Sequence, residues 1–351
     1  MVHGPEAIYA GEMGEAITFF SRLGSIEAVA AGTMCRTAII DMGLDNVIDI
    51  TRCDLPSMAL SSLKCRVPVI VNNGKSLDSG VAFGEIVVSR SNRTTIQLER
   101  ASEKDGTVIL WGLDDNGHAG KIAVALADHF KLPLILRKPA NIPVKNEKGL
   151  KYHAVRCTRP GEPLFVNGVF VGTVNGPEVI VHVRDGVISG IEGIRPKETG
   201  LARVAGLEFH GAKFKSGHIR KKAIRQYICP LREGIGRMAV IDHRAFYSLD
   251  TIGDDTICAL TVGDDTTEVA GDVLARRGVR IIGITDGDKD GVLGDALKAC
   301  GSVVFRVGGI TDDEAGAAVA CRISGKDDFD GFLDKVTRAL KQMGVSYEVC
   351  P

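Results

Sequence analysis

Two acidic, glycine-rich turns in the last third of the chain hold its sharpest chemical signal. One apolar run ends in Gly263-Asp264-Asp265-Thr266-Thr267, and the next ends in Asp286-Gly287-Asp288-Lys289-Asp290-Gly291. If the two runs are neighbouring parallel strands, both turns reach the same sheet edge, where open α/β sheets take their ligands. Carboxylates gathered there suit a hard divalent cation, and phosphates are its usual companions. On this reading Asp264, Asp286 and Asp288 hold Mg²⁺, and Gly263 and Thr266 face a phosphate. A structural reading competes. Asp265 with Glu268 fits a capping box, and Thr311 followed by Asp312, Asp313 and Glu314 is a similar acidic helix start. An EF-hand is rejected, because the twelfth loop position would be Leu297 rather than glutamate.

The N-terminal part offers four candidate strand-end loops: His3-Gly4-Pro5-Glu6, Ala31-Gly32-Thr33, Asn72-Asn73-Gly74-Lys75-Ser76 and Gly112–Lys121. Glycine lets backbone N–H groups approach an anion, and a helix start favours negative charge. The expectation is one crevice for a phosphorylated or nucleotide-like ligand. His3, Gly4, Glu6, Gly32, Thr33, Asn73, Gly74, Lys75 and Ser76 would line it, with Arg36 and Lys121 adding charge. None of these loops is a Walker A loop: Ile122 follows Gly120-Lys121, and Asp115 stands where the first glycine should be. The eight histidines are scattered and define no Ser/His/Asp triad. Nine cysteines are spread singly, with no CxxC pair, so neither a disulfide framework nor a zinc site is expected.

The elements that must position these residues follow from pattern. Short apolar runs at Ile26–Ala31, Val47–Ile50, Val67–Val71, Glu85–Val88, Val108–Trp111 and Leu132–Leu136 read as strands. Helical patterns lie between them at Met34–Met42, Pro56–Leu63 and His118–Phe130. Only Met1–His3 precede the first turn, so the first strand is short or begins upstream. After Pro139 the pattern turns antiparallel, with type I′ hairpins expected at Asn167-Gly168 and Asp185-Gly186. A basic stretch follows (Lys213, Lys215, Arg220, Lys221, Lys222, Arg225), read as a solvated helix face. From Gly236 the strand–helix rhythm returns, with Val345–Val349 placed to close a second sheet. The fold class is therefore α/β: two Rossmann-like parallel-sheet units, 1–140 and 236–351, with a small antiparallel β-rich domain, 141–235, between them.

Bulk properties narrow the function. The 351 residues exceed one typical core, so several domains are expected. A net charge of −1 gives no field to hold nucleic acid or an anionic membrane, and 5% aromatic residues leave few stacking platforms for single strands. No apolar run approaches the roughly 20 residues that span a bilayer. Scattered thiols suit a reducing cytoplasm.

Several stretches together resemble one family. Val2-His3-Gly4-Pro5-Glu6, the Gly32-Thr33-Met34 turn leading into Thr37–Asp41, Asn73-Gly74-Lys75-Ser76 and Gly283–Gly291 look like an archaeal family, mainly of methanogens, catalogued as a domain of unknown function. The chain departs from that pattern at Cys35, where glycine is expected. The resemblance covers most of the chain and implies an anaerobic cytoplasm, but no catalytic residues. Two partial likenesses concern the acidic turns alone. Toprim-type nucleases and primases place a DxD at a strand end, but they also need a glutamate after the first strand, where Asp264 or Asp265 would have to serve. NAD and lipid kinases share the glycine–aspartate–threonine turn, but want glycine where this chain has Asp265. The leading expectation is a protein binding a phosphorylated or nucleotide-like ligand with Mg²⁺, and phosphoryl or nucleotidyl transfer as its chemistry. The alternative is a non-catalytic sensor or assembly factor acting in a protein complex.

Overall fold

Alternation of short β-branched runs with glycine-punctuated helices builds a mixed α/β protein. The computed structural model describes residues 1–52, 55–112, 117–139, 145–147, 150–217, 229–243, 245–287 and 298–350. The chain divides into two compact units, Met1–Gly217 and His218–Pro351. Asp288, the remainder of its loop through Gly291, and the basic residues Arg220, Lys221, Lys222 and Arg225 lie outside the described residues.

The first unit opens with β1 (Val2–His3), α1 (Glu6–Tyr9), α2 (Glu12–Ser21), β2 (Ala30–Ala31), α3 (Thr33–Asp41), α4 (Pro56–Ser62) and β3 (Val69–Asn72). It continues with α5 (Leu77–Ser91), β4 (Thr95–Glu99), β5 (Thr107–Trp111), α6 (His118–Phe130) and β6 (Leu134–Arg137). The six strands form one sheet in the order β2-β1-β3-β4-β5-β6. Strands β2, β1, β3 and β4 are mutually parallel, whereas β5 runs antiparallel to β4 and β6 follows β5. Both faces are covered. Val2, Val71, Ile96 and Leu98 pack with α1, α2, α3 and α6, while Ile70, Ile109 and Trp111 pack with α4 and α5.

Three expectations fail in this sheet. Val47–Ile50 is not a strand; it meets the sheet only through the isolated bridge of Asp49 to Val29. Glu85–Val88 is not a strand but part of α5. Ser76 caps that helix by accepting the Ser79 N–H, and Val81, Val87 and Val88 then fall on its buried side. The β-branched run alone mimicked a strand; the cap and the longer spacing decide for helix. The true strand is Thr95–Glu99, whose alternation of Gln97 and Glu99 with Ile96 and Leu98 is the period of a strand. Thirdly, β5 runs antiparallel to β4, so Gly112 at its end lies at the sheet edge opposite His3, away from the other three loops; residues 113–116 lie outside the described residues.

The rest of the first unit is antiparallel: β7 (Lys145–Glu147), β8 (Leu150–Val155), β9 (Pro163–Val166), β10 (Val169–Val174), β11 (Val179–Arg184), β12 (Val187–Glu192), β13 (Ile194–Pro196), α7 (Glu198–Val204) and β14 (Phe214–Ser216). Two four-stranded sheets form, β13-β10-β9-β14 and β12-β11-β8-β7. Leu164, Val166, Val171, Val181 and Val183 join in one core. Both hairpins have the left-handed pair that type I′ turns require: φ is 50° and 85° at Asn167-Gly168, and 51° and 85° at Asp185-Gly186. The segment expected to start a basic helix is strand β14 where it is described, and Lys215 sits on it.

The second unit contains β15 (Gly236–Asp242), α8 (Ser248–Thr251), β16 (Thr256–Val262), α9 (Asp264–Ala275), β17 (Arg280–Thr285), β18 (Val303–Gly308), α10 (Asp312–Ala320), β19 (Lys326–Asp327), α11 (Phe329–Gln342) and β20 (Ser346–Cys350). Its sheet has the order β19-β15-β16-β17-β18-β20. The four inner strands are parallel, and β19 and β20 close the two sides antiparallel. Leu260, Ile282, Ile284 and Phe305 pack against α10 and α11. On the opposite face a side chain at Gly283 would collide with Thr267 of α9, so glycine there permits the close helix approach.

Candidate functional sites at two strand-end edges

In the first unit, β1 has β2 on one side and β3 on the other, so its carboxyl end is a point where connections diverge. His3 and Asn72 end these adjacent strands, and Nδ1 of His3 lies 3.1 Å from Oδ1 of Asn72. The Nδ2 of Asn72 donates to both oxygens of Glu99, at 3.1 and 2.8 Å. Glu99, fully buried at the end of β4, also accepts the Gly74 N–H at 2.7 Å and Nε2 of Gln97 at 2.7 Å. Gln97 in turn accepts from Nε1 of Trp111 at 2.7 Å. Burial pushes the Glu99 carboxyl up to about 7, against the pull of these donors.

This chain of bonds has a direction. Above about pH 7, where Glu99 is ionised, it only accepts, so the amide of Asn72 turns its NH₂ to Glu99 and its oxygen to His3. That oxygen can only accept, so His3 carries its proton on Nδ1 and leaves Nε2 as a lone pair. The Phe83 ring stacks on the imidazole at 4.1 Å. Desolvation, aided by the nearby Lys215 charge, holds the ring down to about 4, so it is neutral at physiological pH. Two glycines make room for the network. A Cβ on Gly80 would fall 2.0 Å from the Glu99 carboxyl carbon, and one on Gly84 would fall 1.8 Å from Oε1 of Gln97.

The other expected crevice residues separate. Gly4 and Gly32 take positive φ, 77° and 93°. Gly32 also precedes α3 without any side-chain cap, next to the His3 ring, and Thr33 is the first residue of that helix. Glu6 begins α1, and its charge acts on Lys215. Lys215 is exposed, and surrounding protein still strips enough water from its ammonium to push it down to about 8. Asn73 is engaged elsewhere: its Nδ2 donates to the buried Glu12 at 2.8 Å, which also accepts Ser102. Lys75 bonds Glu162 at 2.6 Å and Ser216 at 3.0 Å, pinning the sheet edge to the β-rich layer. Ser76 is spent on the α5 cap. Arg36 is buried in α3, and Lys121 stands in α6, beyond the opposite edge.

In the second unit Asp264 and Asp286 come together at one edge and Asp312 joins them, while Asp288 lies outside the described residues. Asp264, Asp286 and Asp312 each offer an oxygen within 4.8 Å of the others. They come from the start of α9, the end of β17 and the start of α10. Asp264 is the first residue of α9 after the uncapped Gly263, so the expected Asp265–Glu268 capping box is not what starts the helix. Its carboxylate reaches across instead, accepting the N–H groups of Asp286 at 3.2 Å and Gly287 at 2.9 Å. Thr266 is buried in the first turn. Thr311 and Glu314 do form their capping box, which orients Asp312. Asp312 is 8% exposed; burial, then the charges of Asp286 and Asp313, push its carboxyl up to about 6. A second group, Asp242, His243 and Asp313, adjoins it, with Nε2 of His243 at 3.4 Å from Asp313.

Glu99, Gln97 and Asp312 were absent from the sites expected from sequence, and Asn72 stood in a candidate loop but not among the expected crevice residues. A signal existed for the first three. Glu99 and Gln97 share one face of a period-2 run, and Asp312 follows a strand on the same edge as Asp264.

The chain matches the family described as "Uncharacterized protein conserved in archaea (DUF2117)" over residues 1–327. It is 32% identical over 354 residues to "Uncharacterized protein MJ0065" of Methanocaldococcus jannaschii, covering 99% of this chain and 98% of that protein. The chain therefore belongs to this archaeal family. No solved structure matches it. Among the described residues no helix is long and apolar enough to cross a membrane.

Proposed function

From membership of this archaeal family as the premise, we propose that the protein binds a phosphorylated, nucleotide-like ligand together with Mg²⁺ or Mn²⁺ at the acidic edge of the second unit. The observation that carries the reading is the convergence of Asp264, Asp286 and Asp312 within 4.8 Å. An octahedral Mg²⁺ with bonds of about 2.1 Å sets neighbouring ligand oxygens roughly 3 Å apart, a spacing such a cluster can reach. The donors are all hard oxygens, which suits Mg²⁺ or Mn²⁺ rather than a thiophilic metal. Asp288 is the further ligand that the turn sequence offers. The order of events follows from charge. A phosphate approaching Gly263 and Thr266 meets carboxylates first, so the cation must neutralise them before the anion enters. A cation so held would supply charge neutralisation for phosphoryl or nucleotidyl transfer.

Ligands of open α/β sheets bind outside the carboxyl ends of their strands, which supports a Rossmann-like or Toprim-like reading of this edge. The parallel order β2-β1-β3-β4 supports a Rossmann-like reading of the first unit as well. A cytoplasmic setting fits the free thiols. The test is titration calorimetry of the full chain with MnCl₂, then with MgCl₂ and ATP, beside Asp286→Asn. Manganese binding that weakens at least tenfold in the variant supports the site. No manganese binding by the wild type refutes it. Metal and nucleotide binding without turnover would turn the reading from transferase to sensor.

A further inference from the structure

We propose that the His3 edge of the first unit is a second, metal-independent ligand site, which takes a phosphate monoester bearing a hydroxyl group. In this site Nε2 of His3 accepts the hydroxyl proton in a hydrogen bond, and the phosphate meets the positive side of the edge.

Four observations converge on it. The first is orientation: Glu99 fixes the Asn72 amide, Asn72 fixes Nδ1–H of His3, and Nε2 is left as the acceptor. The second is availability. Nε2 makes no hydrogen bond among the described residues, and His3 is only half-buried. A network of Trp111, Gln97, Glu99 and Asn72 that ends on an unengaged lone pair is oriented toward something outside itself. The third is the charge around it: Lys215 lies near enough to act on the imidazole, and Glu6 acts on Lys215. The fourth is shape. Gly32, at φ 93°, precedes the nine-residue helix α3 without a side-chain cap, and a Cβ there would stand 3.9 Å from the His3 ring. Backbone N–H groups at that helix start favour an anion. A neutral acceptor beside a cation and a helix start selects a ligand that is both anionic and a proton donor. A plain anion satisfies half of the site, and a neutral alcohol satisfies the other half.

Among the described residues the site has no cluster of metal-ligating side chains, so it stands or falls apart from the metal site. The test is nitrogen-15 NMR of the full-length protein with labelled histidine, in metal-free buffer containing chelator. The wild type should show His3 neutral with its proton on Nδ1 at pH 8, where Glu99 is ionised. Glycerol 3-phosphate should move the His3 Nε2 resonance in a saturable way, while sulfate or glycerol alone at the same concentration should not. Asn72→Leu, which frees Nδ1, should give mixed tautomers and weaken glycerol 3-phosphate at least tenfold. A proton found on Nε2 in the wild type overturns the proposal. So does a Nε2 resonance indifferent to glycerol 3-phosphate, or one that sulfate moves equally, since that would mark an adventitious anion only.

Discussion

Gly80 and Gly14 both lie in helices, and Gly→Ala should have opposite signs at the two positions. Alanine is favoured over glycine in a helix by up to about 1 kcal/mol. At Gly14 of α2 a new Cβ meets nothing within 4 Å, so Gly14→Ala should stabilise by roughly 0.5–1 kcal/mol. At Gly80 the new Cβ would sit 2.0, 2.1 and 2.5 Å from the three carboxyl atoms of Glu99. Glu99 cannot swing aside cheaply, because Asn72, Gly74 and Gln97 all donate to it in a buried site. Forced repacking costs about 1–3 kcal/mol. Each hydrogen bond lost to a buried carboxylate adds about 1.5–3 kcal/mol. Less the helix gain, Gly80→Ala should destabilise by roughly 2–5 kcal/mol, a large share of the about 5–15 kcal/mol that holds a domain together. Urea unfolding followed by tryptophan fluorescence reads this directly. Trp111 is the only tryptophan, and it sits in the same network, so the signal belongs to the first unit. A Gly80→Ala midpoint at or above that of the wild type would refute the reasoning.

Two further outcomes follow from the same structure. The Glu99 carboxyl is raised from 4.5 to about 7, so its contribution to stability is full below pH 4.5 and is lost as pH rises through 7. Glu99→Gln lacks this titration; between pH 5 and 8 its stability relative to wild type should improve by up to roughly 3 kcal/mol, and a pH-independent difference in paired urea titrations would contradict a desolvated carboxylate. Cys35 and Cys258 are buried, with thiols pushed up to about 12, whereas Cys300 and Cys321 are exposed. Iodoacetamide at pH 8 should therefore label Cys300 and Cys321 first by peptide mass mapping, and early labelling of Cys35 would count against this packing.

Much of the fold was legible because its signals are local. Asn-Gly and Asp-Gly between β-branched runs allow little besides a type I′ turn, and both hairpins stand where those pairs occur. His118–Phe130 is helical to the residue, since its apolar spacing needs no tertiary help. Strand direction is a different kind of fact. Nothing within Val108–Trp111 says that it runs against Thr95–Glu99; the short connection from Arg100 to Gly106 says so, and only after β4 has been recognised. Reading Glu85–Val88 as a strand hid β4, and with it the reversal that sends Gly112 to the far edge.

The candidate sites were half legible for a related reason. Sequence reading looks for chemistry in loops, and it found His3, Asp264 and Asp286 at strand ends. It passed over Glu99 and Gln97, because the strand that carries them was not recognised. Both are fully buried, and that is possible only because α5 presents glycine opposite each of them. The glycines were therefore the available sign. Two glycines four residues apart in one helix lower its propensity and stack on one side, so something on that side must need the space. Here it is a carboxylate and an amide, and the bonds they make run through Asn72 to the imidazole of His3. A helix that gives up stability at Gly80 and Gly84 to bury polar groups is organised around the group those residues orient, which is the lone pair on Nε2 of His3.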